Sequence, residues 1–244
     1  MRRLNRLVMM KNSTTFYFKK FGRNLVISFG LLAILLWSSC GKNEAISTEG
    51  TSYMTIINAS PGLATYNIYL NSSKMNSAAL PLGGTVPYAQ VLSNTYDLKF
   101  TTAVNTESLL TKSIVLAENS NYSYFLIGVP GQLDLISFKD NLSVASEKAS
   151  LRFINLSPDA PALDLAIKEK SNLISNQAYK QANEFLQVEP GTFDLDIKDK
   201  STGSVKTTLN VTLVAGRYYT IIVRGMVNPS EIQQPLAAQL ITNL

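Results

Sequence analysis

The sequence contains no histidine and a single cysteine among 244 residues. Without histidine there is no side chain whose ordinary titration falls near neutral pH, so the commonest general base and the commonest transition-metal ligand are missing. One cysteine cannot close an internal disulfide, and it cannot build a thiolate zinc site. Charge is also sparse, at 16% of residues. The net charge of +5 is unevenly placed. Arg2, Arg3, Arg6, Lys11, Lys19, Lys20 and Arg23 all precede Cys40, and no acidic residue does. From Cys40 onward 15 basic residues face 17 acidic ones, leaving no basic stripe for nucleic acid.

What is present begins with an address. Leu25 to Trp37 is an unbroken apolar run of 13 residues behind a basic flank. As a helix it would span about 20 Å, too short for a stable bilayer crossing and suited to the core of a secretory signal. The positive flank would hold the cytoplasmic end in place. Starting at Met9 or Met10 instead of Met1 would leave a charged flank still. Ser38, Ser39, Cys40 and Gly41 follow the run directly. Small residues before a cysteine at this place resemble the lipobox of bacterial lipoproteins, although Trp37 stands where that family has an aliphatic residue. The resemblance implies removal of residues 1–39 and acylation of Cys40 on sulfur, and two or three acyl chains give durable membrane attachment. An uncleaved short anchor, or a conventional cleaved signal with an incidental cysteine, are the alternatives. Residues 41–52 are small and polar and read, with Cys40, as a lipidated flexible tether over 40–52, reaching at most about 40 Å. The expected location is the cell envelope, with the outer membrane favoured at its periplasmic face or the cell surface.

The remainder repeats itself. Ile57-Asn58-Ala59-Ser60-Pro61 matches Ile154-Asn155-Leu156-Ser157-Pro158 at an offset of 97. The same offset aligns Val91 with Val188, Tyr96-Asp97-Leu98 with Phe193-Asp194-Leu195, Ile114 with Val211, Tyr122 with Tyr219 and Gly128 with Gly225. A constant shift over so long a stretch points to two tandem domains, 53–141 and 150–243, joined by 142–149. Tyr96, Leu98 and Phe100, like Phe193, Leu195 and Ile197, alternate with polar residues, the period of a strand with one wet face. Residues 122–129 and 218–223 are apolar on both faces, which suggests central strands covered on both sides. Further strands are expected at 53–58, 66–70, 111–117, 133–138, 150–155, 163–168, 207–213 and 236–242, while 173–187 is ambiguous. Asn228 to Pro235 holds about six residues that the first copy lacks. Short strands with turn signals, at about 90 residues per unit, predict an all-β fold of two tandem immunoglobulin-like β-sandwiches.

The second copy opens with Arg152-Phe153-Ile154-Asn155-Leu156-Ser157-Pro158-Asp159-Ala160-Pro161-Ala162-Leu163-Asp164-Leu165. This resembles the opening signature of the bacterial family catalogued as domain of unknown function 4397. The first copy departs from it, with Gly62, Ala64 and Asn67 in place of the first Asp, the second Pro and the second Asp. The resemblance implies an envelope sandwich module and carries no activity. On their own terms the residues describe a turn: proline lacks the ladder donor, and Asp159 can accept from turn amides. A sharper alternative makes Asp159 and Asp164 oxygen donors to Ca²⁺.

Other candidates carry less. Asp194 and Asp196 share a strand face about 7 Å apart, but that face reads as solvated and lies across no cleft. Ser60 and Ser157 have no histidine partner. Tyr66, Tyr69, Tyr88, Tyr122, Tyr124, Tyr218 and Tyr219 could form a sugar-stacking platform or simply pack. No catalytic residue, metal or cofactor is expected, and Cys40 is the one site residue. The preferred function is a non-catalytic module anchored in the membrane, binding a protein or glycan partner or serving a structural role. A subunit of a glycan-uptake or adhesin assembly is the alternative, and an enzyme with an unrecognised site the last.

Overall fold

A computed structural model describes residues 50–143 and 147–243. The basic flank, the apolar run, Cys40 and most of the tether therefore lie outside the described residues, as do 144–146 of the joint. Every regular element among the described residues is a strand. The first half contains β1 (Thr51–Asn58), β2 (Tyr66–Leu70), β3 (Ser73–Lys74), β4 (Thr85–Leu92), β5 (Thr95–Thr102), β6 (Leu110–Val115), β7 (Asn121–Ile127) and β8 (Asp134–Lys139). The second contains β9 (Ala149–Asn155), β10 (Leu163–Ile167), β11 (Asn172–Gln177), β12 (Leu186–Val188), β13 (Gly191–Asp199), β14 (Val205–Leu213), β15 (Tyr218–Arg224) and β16 (Ala237–Thr242).

Each half is a sandwich of two four-stranded sheets. The orders are β4-β1-β7-β8 with β3-β2-β5-β6, and β12-β9-β15-β16 with β11-β10-β13-β14. The second pair repeats the first strand for strand, including the parallel pairing of β1 with β7 and of β9 with β15. The ambiguous segment 173–187 is resolved as β11, a loop and the short edge strand β12. Within each half the period-two residues meet as expected. Leu98 and Phe100 join Met54, Ile68 and Leu126 in one core, and Leu195 and Ile197 join Phe153, Leu165 and Ile221 in the other.

A third core lies between the halves. Ile57, Ala59, Phe125 and Ile127 pack with Ile154, Leu156, Ile222 and Ile241, flanked by Ile136 and Phe138. This explains strands that are apolar on both faces. One face of β7 and of β15 enters its own sandwich, and the other is covered by the sister half. The halves form one compact unit. Ile57 and Ile154, Ala59 and Leu156, and Phe125 and Ile222 are each 97 positions apart. The same patch of each half thus faces the other, as in an isologous dimer contained within one chain. Burying about seven large apolar side chains there is worth on the order of 10 kcal/mol gross.

Candidate functional site

The repeated Asn-x-Ser-Pro begins the account of the site, because it fixes where the strands end. Asn58 and Asn155 are fully buried at the ends of β1 and β9. Each turns its own chain: Asn58 Oδ1 accepts from Ser60 N at 3.0 Å, and Asn155 Oδ1 from Ser157 N at 3.1 Å. Each also pins a distant loop, Asn58 Nδ2 donating to the Leu80 carbonyl and Asn155 Nδ2 to those of Pro161 and Gln177. Such side-chain turns let a buried chain reverse without orphaning its amides.

Asp159 then does more than cap a local turn. Its two oxygens accept from Val227 N and Asn228 N, each at 2.8 Å, and Ser157 Oγ adds a third bond. It anchors the loop between β15 and β16, the longer loop of the second half. Gln234 N from that loop donates to the Pro61 carbonyl of the first half at 2.8 Å. The first half has Gly62 where the second has Asp159, and there the shorter Pro130-Gly131 turn packs close. A side chain at Gly62 would meet Pro130 Cγ at 2.8 Å. Asp164 serves a different loop, accepting from Asn172 Nδ2 at 2.6 Å and Asn176 N at 2.7 Å. The two carboxylates are thus committed to separate segments and do not converge on a shared cation. Asp194 is exposed and accepts from Asn210, whereas Asp196 is buried, which corrects the reading of their face as evenly solvated.

The most concentrated polar chemistry is on the seam between the halves. Asp140, just after β8, is 2% exposed, and Arg152 in β9 is 3% exposed. Arg152 Nη2 lies 2.7 Å from Asp140 Oδ1. Tyr88 Oη and Ser123 Oγ donate to the other Asp140 oxygen. Arg152 Nε donates to Thr220 Oγ1 at 3.1 Å, Thr220 Oγ1 donates to Asn243 Oδ1 at 2.8 Å, and Asn243 Nδ2 donates to Tyr88 Oη at 2.9 Å. The guanidinium also sits 4.6 Å from the Phe185 ring and 5.4 Å from that of Phe138. Burial, reinforced by the Asp140 charge, pushes the Tyr88 phenol well above its ordinary value, so it stays a donor. Tyr88 and Phe185 are 97 positions apart, as are Ser123 and Thr220 and also Thr55 and Arg152. Equivalent positions therefore meet, but with different chemistry. Arg152 stacks against Phe138 and Phe185, whereas Thr55 and Tyr88 line an open cleft of about 520 Å³ with Pro87, Gln239 and Ile241.

Of the tyrosines singled out, Tyr88 alone lines this cleft. Tyr66, Tyr124 and Tyr219 are buried in the sandwich cores, and Tyr218 packs edge-on against Phe185. Tyr69 lies under the Lys99 ammonium, and Tyr122 leans on Tyr124. Ser60 and Ser157 are buried in their turns. Asp140, Asn243 and Arg224 were not among the sequence candidates, and Arg152 figured only as part of the opening motif. A signal exists for the two arginines, because Arg152 places a charge within the expected strand 150–155 and Arg224 directly follows the run 218–223 that is apolar on both faces.

Residues 52–166 match the family described as Domain of unknown function (DUF4397). The match spans the first half and runs through β9 and most of β10, so it contains both Asn-x-Ser-Pro turns. No curated protein matches the chain. Among solved structures, a family 26 carbohydrate-binding module from Eubacterium rectale Amy13K, in complex with maltoheptaose, is 9% identical with a TM-score of 0.24, covering 80% of this chain and 97% of that one. The Bacillus anthracis TIE protein is 10% identical with a TM-score of 0.24, covering 72% of this chain and 34% of that one. Overlaps this loose carry no argument about ligands.

Proposed function

We propose that this chain is an exported lipoprotein. Acyl chains on Cys40 hold it to the bacterial envelope, and its two sandwiches, read as two copies of the same domain, form a non-catalytic module that docks a partner protein. The observation that carries the docking reading is the seam. Two sandwiches joined through an apolar core and a buried ion pair present one rigid surface, and rigid surfaces bind at lower entropic cost. Support for a non-catalytic role comes from the cleft, where three of the polar side chains, Gln239, Asn243 and Tyr88, are held by hydrogen bonds within the protein. Gln239 accepts from Arg224 Nε and donates to the Gly83 carbonyl, while Asn243 and Tyr88 are held in the seam network. Anchoring is supported by the sequence alone, through the position of Cys40 after the apolar run.

The test is metabolic labelling with radioactive palmitate, followed by cross-linking on intact cells. The wild-type chain takes up label and yields a cross-linked partner, and Cys40→Ala loses label and leaves the membrane fraction. Equal labelling of Cys40→Ala would overturn the anchor, and an absence of any cross-linked species would overturn the docking role.

A further inference from the structure

Arg224 closes β15, at the position that the 97-residue offset pairs with Ile127. Ile127 is fully buried in the core between the halves. The fold therefore fills this place with an aliphatic side chain in one half and a cation in the other. Arg224 is partly buried, and its Nε donates to Gln239 Oε1 at 2.8 Å. Among the described residues no acidic group forms an ion pair with it. Burial without a counter-ion pulls the guanidinium below its ordinary value, which marks the charged form as incompletely compensated.

The surroundings leave that charge accessible. Arg224 lines a pocket of about 280 Å³ with Gly62, Leu63, Pro81, Leu82 and Gln234. Gly83 keeps the neighbouring backbone clear, since a Cβ there would lie 2.9 Å from Arg224 Nη2. Leu63 lines the pocket, Ile232 precedes the antiparallel bridge between Gln233 and Gly62, and these two residues are 56% and 66% exposed. The pocket thus combines one forked cation, apolar walls and a single amide. A phosphate would call for more positive charge, and a sugar for more side-chain donors and acceptors. One guanidinium between exposed aliphatic groups suits a carboxylate carried on a peptide with apolar neighbours.

We propose that this pocket receives an acidic side chain from a partner protein. The guanidinium binds the carboxylate, and Leu63 and Ile232 cover an adjacent apolar side chain. The assignment rests on the docking role proposed above and specifies its surface.

The experiment titrates the full chain, purified in detergent, with three probes. These are a peptide of alternating leucine and glutamate, its leucine–glutamine counterpart, and an oligogalacturonate. Binding is read by calorimetry and by the NMR signal of the Arg224 Nε–H. The glutamate peptide is expected to bind at least tenfold tighter than the glutamine peptide and to shift that signal. Arg224→Ile, which imports the first half's own residue, is expected to lose at least tenfold in affinity while keeping the melting temperature. Should it fail to fold, Arg224→Gln gives the same reading. Equal binding of the two peptides, or undiminished binding to Arg224→Ile, overturns the site. Tighter binding of the oligogalacturonate overturns the peptide assignment. None of these outcomes depends on palmitate at Cys40 or on cross-linking in cells, so the two proposals fail separately.

Discussion

Replacing Arg152 by methionine tests whether the seam ion pair holds the halves together. Arg152 Nη2 and Asp140 Oδ1 are 2.7 Å apart, with side chains 4% and 0% exposed. Removing one member of such a pair strands the other charge in a dry interior, at a cost of about 3–5 kcal/mol. Asp140 keeps its bonds from Tyr88 and Ser123, which offset part of that loss. The stacking of the guanidinium on Phe185 disappears as well, worth about 1 kcal/mol. For a unit of this size each kcal/mol lowers the melting temperature by about 2–4 °C, so Arg152→Met should melt about 6–20 °C lower. Adding Asp140→Asn removes the stranded charge. Asp140 follows Lys139, which pairs with Tyr122, as Asn243 follows Thr242, which pairs with Tyr219, so at the equivalent place in the second half the seam already accommodates an asparagine. The double variant should recover at least about 2 kcal/mol of the loss. Guanidinium chloride unfolding followed by circular dichroism measures all four corners of the cycle. The reasoning is refuted if Arg152→Met costs under about 1 kcal/mol, or if the double variant is no more stable than the single.

Asp159→Ala removes the acceptor of Val227 N and Asn228 N. Hydrogen exchange at those two amides should accelerate, with a stability loss of about 1–2 kcal/mol; unchanged protection would show that the loop is held by other means. Asp199 titrates at about 2, because Ser201 bonds its carboxylate through hydroxyl and amide. A carboxylate depressed in the folded state contributes stability that is complete above its unfolded value, near pH 4, and fades as pH falls through about 2. Carbon-detected NMR should place the midpoint near 2 and show it rising in Ser201→Ala, and a wild-type midpoint near 4 would contradict the turn geometry.

The strands were legible in the chain because a pleated backbone writes its burial as a period of two, as at Tyr96, Leu98 and Phe100. The turns after Asn58 and Asn155 were legible from the prolines that follow, which lack the ladder donor, whereas the asparagine bonds to the Leu80 and Gln177 carbonyls, each 22 residues away, were not. Asp159 is legible as an acceptor of local turn amides, but its role runs to amides 68 and 69 residues away, a separation no local pattern encodes. The apolar second faces of β7 and β15 were equally visible, and they declared that something covers them. That the cover is the sister half was decided only by tertiary packing, since a buried face is specified by its dryness and not by its partner. The same holds for Asp140, Arg152 and Arg224. As letters they are ordinary charges, and their consequence follows from the distance, burial and neighbours that two folded sheets impose when they close on each other.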